Sequence, residues 1–397
     1  NKSNNSRRDF IRNSALAMGG FYIVPRHVLG GKGFIAPSDK LQVAGIGSGG
    51  KGESDLFNFY NSGKADIAFL CDVDDRQAVK SRQRYPKAKY YKDYREMLDK
   101  EHKYFDACSV STPDHMHAVQ AMAAMQLGKH VYVQKPIAHD IFEARMMTEA
   151  ARKHNVVTQM GNQGHSETNY FQFKAWAEAG IIKDVTAITA HMNLGRRWHG
   201  WDTNIKSFPA KEAIPSTLDW DTWHGVVKEH DYNHDFVNGQ WRCWYDFGMG
   251  TLGDWGAHII DTAHQFLDLG LPTEVSMLKA EGHNQFFYPN DSTILFKFPE
   301  RKGMPACDIT WYDGVNNIPP FPDGYGDPMA PDPNIPPPKN GKAKPPRYNP
   351  GKIIYGKDLT FKGGSHGSQL YIIPEDKAKD MAGKLPVVPV SPSNHYA

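Results

Sequence analysis

Leu41-Gln42-Val43-Ala44-Gly45-Ile46-Gly47-Ser48-Gly49-Gly50 carries an apolar stretch directly into a glycine-rich turn. Leu41–Ala44 reads as a strand, and Gly45, Gly47 and Gly50 fall at the G-x-G-x-x-G spacing of a dinucleotide-binding turn. On this reading Gly45 permits the tight turn, and Gly47 lets a pyrophosphate approach the backbone beside Ser48 and Gly49. Gly50 then lets the following helix pack on the strand. The phosphate sits at a helix N-terminus, where unpaired N–H groups and the dipole favour negative charge. With 36 glycines in 397 residues the spacing also arises by chance, so its context decides. Asp72 closes the next strand-like run, Ala65–Cys71, 22 residues beyond Gly50. A carboxylate there accepts from a ribose hydroxyl and repels a 2′-phosphate, which favours NAD; Arg76 nearby keeps NADP open.

The alternation around this turn sets the first domain. Short apolar runs at Leu41–Ile46, Ile67–Cys71, Ala107–Ser111, His130–Val133 and Val156–Met160 alternate with helical stretches such as Ala118–Leu127 and Ile141–His154. Gly128 is a candidate C-cap for the first of these helices. Such alternation predicts a parallel sheet with helices on both faces and a ligand at the carboxyl ends of the strands. We therefore expect an α/β protein: a Rossmann domain over residues 39–162, and a second domain over 163–397. In the second, Val185–Met192, Asp291–Phe298 and Cys307–Tyr312 read as strands and Trp255–Leu267 as a helix. Ile318–Tyr348, rich in Pro, Gly and Asp, reads as a long irregular loop.

Composition narrows the partners. A formal net charge of +2 without a basic block gives no reason to expect nucleic acid, and no stretch reaches the roughly 18 apolar residues of a membrane span. The four cysteines, at 71, 108, 243 and 307, show neither metal-site nor disulfide spacing and read as core thiols. Residues 1–38 stand apart. Arg7-Arg8 followed by the mildly apolar Ala15–Val24 resembles a twin-arginine export signal, with a basic arm as the alternative. Export implies a periplasmic location; otherwise the protein is cytoplasmic.

The polar residues just beyond the strands are the candidates for chemistry. Thr112, Pro113 and His115 follow the fourth strand and read as cofactor-facing. His115 and His117 form an H-x-H pair without partners at ligand spacing, so no metal is expected. The fifth strand ends in Gln134-Lys135-Pro136. An ammonium there can point into the crevice and stabilise an alkoxide, although a lone lysine is usually a surface charge. Asn162, Gln163 and His165 follow the last Rossmann strand, Asn162 as a cofactor contact and the other two as substrate contacts. Arg197 is a further substrate candidate, in a stretch that also holds Arg196, Trp198 and Trp201. In the second domain, helical periodicity over Leu252–Leu267 puts Asp254, His258 and Asp261 on one face. Trp241 joins Asp261 as a substrate candidate, in an aromatic-rich region where tryptophan more often serves as core filler.

The glycine turn, Asp72, Ser111-Thr112-Pro113-Asp114-His115 and Gln134-Lys135-Pro136 together resemble the Gfo/Idh/MocA oxidoreductase family, over roughly residues 40–315. The resemblance implies a C-terminal α+β domain with a large open, mostly antiparallel sheet, and a homo-dimer or homo-tetramer formed through it. It implies catalysis by Lys135 and by an aspartate four residues before a histidine, here Asp254 and His258, with Asp254 orienting the imidazole. The family's strand-five glutamate is replaced by Gln134. The expected reaction is hydride transfer between a sugar, polyol or glycoside and a nicotinamide, held tightly if the protein is exported. A glycosidase or epimerase using transient oxidation, or a non-catalytic sugar-binding protein, would use the same fold.

Overall fold

Each apolar run of the N-terminal half becomes a strand in the computed structural model, and all but the last are buried on both faces of one sheet. The structure describes residues 35–194, 202–237, 239–301, 303–329, 347–392 and 394–396. Arg7-Arg8, Arg196, Arg197, Trp198 and Trp201 lie outside them. The chain runs β1 (Leu41–Ile46), α1 (Gly50–Asn61), β2 (Ala65–Cys71), α2 (Asp75–Arg84), β3 (Lys89–Tyr91), α3 (Tyr94–Glu101), β4 (Ala107–Val110), α4 (Asp114–Gln126), β5 (His130–Gln134), α5 (Ile141–His154) and β6 (Thr158–Gly161). The strands pair in parallel in the order β3-β2-β1-β4-β5-β6. Val43 and Leu70 pack with Leu56 of α1 on one face. Ala44, Ile46, Val110 and Val133 pack with Ala121 and Met147 of α4 and α5 on the other. Burial on both faces explains the unbroken apolar runs, and the order reverses between β1 and β4, where open α/β sheets bind ligands.

Two local differences have simple causes. The short β3, Lys-Tyr-Tyr, carries no apolar run and was invisible to periodicity. The last Rossmann strand starts at Thr158 rather than Val156, because Asn155 ends α5 in the left-handed region and the Val156 amide bonds back to Ala151. Gly128, at φ 73°, does take the left-handed position just past α4.

The second half continues with α6 (Thr168–Glu178), β7 (Ala187–Met192), α7 (Trp220–His224), α8 (Gly250–Ile259), α9 (Asp261–Phe266), β8 (Glu274–Glu281), β9 (Asp291–Phe298), β10 (Cys307–Asp313), β11 (Gly351–Tyr355), β12 (Thr360–Gly364), β13 (Leu370–Ile373) and α10 (Glu375–Met381). Its seven strands order β13-β12-β11-β7-β10-β9-β8, antiparallel except for the β7–β10 pair. One sheet face, through Ile188, Ile309, Ile354 and Phe361, packs on Phe173 and Trp176 of α6 and Ala263 of α9. The helix expected over Trp255–Leu267 is two, meeting at Ile260. That residue stays helical and its carbonyl accepts from the His264 amide, so Asp254, His258 and Asp261 keep a common side. Trp220, Trp223 and Trp244 form an aromatic core with Phe236 and Phe247, the filler role expected of them. The described ends of the Pro-rich loop bring Phe321 and Tyr325, stacked at 4.0 Å, against His191. Among the described residues no helix is long and apolar enough to cross a membrane.

Candidate active site

β1 ends at Ile46, so Gly45 lies inside the strand, and the working fingerprint is shifted by two residues from the one read in the sequence. Gly47 makes the turn at φ 79°, Gly49 caps α1, and Gly52 is the close-packing glycine. A Cβ on Gly52 would lie 1.7 Å from the Gly47 carbonyl oxygen, whereas one on Gly50 would meet open space. The set Gly47-x-Gly49-x-x-Gly52 therefore performs the roles assigned to Gly45, Gly47 and Gly50, and two overlapping matches in one glycine run made them indistinguishable by spacing. Asp72 then lies 20 residues beyond the last glycine.

Asp72 is buried at the carboxyl end of β2. Its Oδ2 accepts from the Ser48 and Gly49 amides at 2.9 and 3.0 Å, and its Oδ1 accepts from the Asp74 amide. Burial pushes its pKa up to about 6, against the pull of those amides. The carboxylate thus fixes the shape of the glycine loop while facing a cavity of about 570 Å³. Gly47, Gly49, Thr112, Pro113, Gln134 and Trp241 also border this cavity. Arg76 lies at its rim with its guanidinium held by Asp74 at 2.7 Å.

Beside the cavity a string of alternating charges crosses the domain seam. Asp114 opens α4, fully buried, and accepts from Arg242 Nη1 at 2.9 Å and from the Met249 amide at 3.1 Å. Arg242 Nε lies 3.4 Å from Asp254 Oδ1. Asp254 in turn accepts from Lys135 Nζ, both through its carboxylate and, at 2.8 Å, through its backbone carbonyl. Burial lowers the Lys135 pKa, with Asp254 opposing and Arg242 reinforcing the shift. Lys135 is thus no surface charge.

His258, one turn after Asp254, is oriented by a residue of the other domain. Its Nδ1 lies 2.9 Å from Asn162 Oδ1, and Asn162 Nδ2 donates to the Ala257 carbonyl at 2.8 Å. That second bond fixes the amide, so Nδ1 carries the proton and Nε2 keeps the lone pair. The orienting role expected of Asp254 therefore falls to Asn162, and Asp254 holds Lys135 and Arg242 instead. Asn162 is correspondingly a partner of His258 rather than part of the cofactor cavity wall. Burial, reinforced by Lys135 and His366, drives the His258 pKa down to about 3 and keeps the ring neutral. His366, from the β12–β13 loop, lies 4.3 Å from the His258 ring.

The remaining candidates separate by location. His115, expected at the cofactor, is buried in the seam instead. Its nitrogens face the carbonyls of Phe247 and Trp223, between whose rings it packs. His117 ties the two strand ends together through the Thr112 and Pro136 carbonyls, at 2.8 and 2.6 Å. His165 Nδ1 meets Asp261 Oδ2 at 2.9 Å. Gln163 donates to Tyr132 and Tyr396 hydroxyls. Trp241 carries the Arg242 guanidinium over its ring at 4.2 Å. Gln134 donates to Asp55 at 2.8 Å, so a glutamate there would set two carboxylates in contact. Sequence reasoning missed Arg242, Asp114 and His366. Asp114 sat inside the quoted strand-four motif and Arg242 beside Trp241, but no spacing links two residues on different domains.

Residues 41–162 match the model of the Gfo/Idh/MocA oxidoreductase family, NAD-binding Rossmann fold, and residues 167–287 match its C-terminal alpha/beta domain. A glycosyl hydrolase family 109 protein of Shewanella pealeana is 26% identical over 188 residues, 41% of each chain. An alpha-N-acetylgalactosaminidase of Shewanella oneidensis is 30% identical over 150 residues, 34% of this chain and 32% of that one. The similarity thus spans well under half of these relatives. Among solved structures, the WlbA dehydrogenase of Bordetella pertussis, in complex with NADH and UDP-GlcNAcA, shares the fold at TM-score 0.56 and 14% identity, over 87% of this chain and 82% of that one. A levoglucosan dehydrogenase, in complex with NADH and levoglucosan, shares it at 0.53 and 16%, over 82% and 72%.

Proposed function

From the premise that the chain belongs to the Gfo/Idh/MocA oxidoreductase family, we propose that it binds NAD and transfers hydride at a hydroxyl-bearing carbon of a sugar, polyol or glycoside. One observation carries this reading: Lys135 of the Rossmann domain is paired with Asp254 of the second domain, one helical turn from a neutral His258, beside the glycine-loop cavity. The cavity fits a dinucleotide. Its glycine loop leaves no room for a Cβ at Gly47 or Gly49, and its volume lies within the usual range for ligand pockets, roughly 300–1,000 Å³. Gly47, Gly49, Asp72, Thr112, Pro113 and Gln134 would hold the cofactor. Asp74 holds Arg76 through Nε and Nη2, and the buried Asp72 carboxylate at the end of β2 would repel a 2′-phosphate, which supports NAD over NADP.

When bound, NAD supplies the hydride acceptor. In the oxidative direction His258 Nε2 accepts the hydroxyl proton, since Asn162 holds the other ring nitrogen protonated. Lys135 uses two of its three N–H donors on Asp254 and turns the third to the same oxygen, stabilising the charge that develops there. Asp254 keeps that ammonium in place, and Arg242 and Asp114 balance Asp254 across the seam. Adding monosaccharides, inositols and glycosides to protein and NAD tests the reading. Reduced nicotinamide forms with the parent and falls by at least about 10²-fold in Lys135→Met and His258→Asn. Turnover left unchanged by both substitutions refutes it.

A second reading is favoured by the curated relatives, which are glycosidases by name. Hydride transfer to NAD would make a ketone, and loss of the neighbouring C–H proton would expel the aglycone. Water would add across the resulting double bond, and return of the hydride would leave the free sugar. Released aglycone without net reduced nicotinamide distinguishes it. Two further features belong to the proposal. Arg7-Arg8 carries export to the periplasm, and β8, which exposes Val275, Met277 and Leu278, supports assembly into a homo-dimer or homo-tetramer through the second sheet.

A further inference from the structure

Asp55, in the second turn of α1, is fully buried behind Gln134, which borders the cofactor cavity. Four donors converge on its carboxylate. Oδ1 accepts from Lys51 Nζ at 2.6 Å and from the Tyr396 hydroxyl at 2.8 Å. Oδ2 accepts from Ser111 Oγ at 2.9 Å and from Gln134 Nε2 at 2.8 Å. A carboxylate only accepts, so the contact decides which end of the Gln134 amide faces it. A flipped amide would put oxygen against oxygen. The Gln134 nitrogen is held further by the Tyr132 hydroxyl at 3.3 Å, and Gly161 lies so close that a Cβ there would fall 2.6 Å from it. With the nitrogen turned inward, Oε1 is the end left for the cavity that Gln134 borders.

We propose that Asp55 is a positioning residue that locks Gln134 so that Oε1 accepts a hydrogen bond from the nicotinamide-side ribose of the bound cofactor. The inference rests on the NAD reading of the cavity. The position assigns the ribose. Asp72 at the end of β2 marks the adenosine half, and β5 lies two strands past the reversal at β1 and β4, under the other half. Asp55 itself, wholly covered by its four donors, does not touch the cofactor. It acts through the groups it holds, Gln134 and also Lys51 and Ser111, all three of which border the cavity.

Binding of NADH and of ADP, which lacks the second ribose, separates this role from a merely structural one. Gln134→Met keeps the side-chain length and removes Oε1; it raises the NADH Kd about tenfold, the size of one hydrogen bond, and leaves the ADP Kd within about twofold. Asp55→Asn frees the amide to turn and has the same selective effect. The exchange Asp55→Asn with Gln134→Glu restores the donor–acceptor pair in reverse and returns the NADH Kd to within about threefold of the parent. Equal weakening of NADH and ADP, an unchanged NADH Kd in Gln134→Met, or no recovery in the exchange overturns the proposal. A parent that binds neither nucleotide overturns the NAD reading itself. Should Asp55→Asn not fold, Gln134→Glu compared with the exchange decides. Alone it sets two carboxylates in contact and weakens NADH, and with Asp55→Asn beside it the NADH Kd recovers; equal NADH affinity in the two overturns the proposal.

Discussion

Replacing Asp254 with asparagine removes the one anion that Lys135 and Arg242 share. The Lys135 and Asp254 side chains are 10% and 3% exposed, so water cannot take over the lost interaction. Removing one partner of a buried pair costs about 3–5 kcal/mol, because an uncompensated charge remains. Here two cations are left facing each other across the seam, with only Asp114 to balance Arg242, so the upper part of that range is expected. Lys135→Met is milder, about 1–3 kcal/mol, because Asp254 keeps Arg242 at 3.4 Å. The double replacement removes both charges and leaves the Arg242–Asp114 pair intact. It is therefore less destabilised than the sum of the singles by about 2 kcal/mol. Urea unfolding of the four proteins, with midpoints compared at constant slope, measures each value. A loss below about 1 kcal/mol in Asp254→Asn, or additivity within about 0.5 kcal/mol, would refute the charge string as a coupled unit.

The shifted fingerprint makes a sharper local prediction. Gly52→Ala forces a Cβ onto the Gly47 carbonyl and abolishes nucleotide binding or folding, whereas Gly50→Ala, strained only by its φ of 51°, costs about 1 kcal/mol. Thermal melts with and without NADH check the order, and the reverse order restores the original register. Asp72 and Asp313, each pushed up to about 6 by burial, bind a proton more tightly in the folded than in the unfolded chain. Stability therefore falls as pH rises from about 4 to about 6 and levels off above. Asp72→Asn flattens that fall; an unchanged slope in urea midpoints across this range contradicts it. Replacing Arg7-Arg8 with two lysines keeps an exported protein in the cytoplasm, which cell fractionation reads directly.

Much of the Rossmann half was legible because burial on both faces writes strands as apolar runs, and Gly128 marks a helix end with its own chemistry. The register of the glycine turn was not legible. Two glycine triplets overlap, and only the contact between Gly52 and the Gly47 carbonyl separates them. Lys135, Asp254 and His258 could be named because two short motifs hold them, and the fold brings them to one place. Their wiring was hidden, since Asn162, Arg242 and Asp114 reach them across the seam from sequence positions no periodicity connects. His115 was misassigned for a related reason. It stands after a strand, where cofactor contacts gather, but Trp223 and Phe247 of the other domain close over it.

The proposed reaction sets Lys135 and His258 on one hydroxyl-bearing carbon next to a bound nicotinamide. A sugar deuterated at the oxidised carbon, incubated with the parent protein and NAD, tests this most directly through the fate of the deuterium. Deuterium is expected on the nicotinamide ring, transiently or as net product, with the transfer lost in Lys135→Met and His258→Asn. Deuterium that never leaves the sugar, under conditions where the parent converts that sugar, would contradict it.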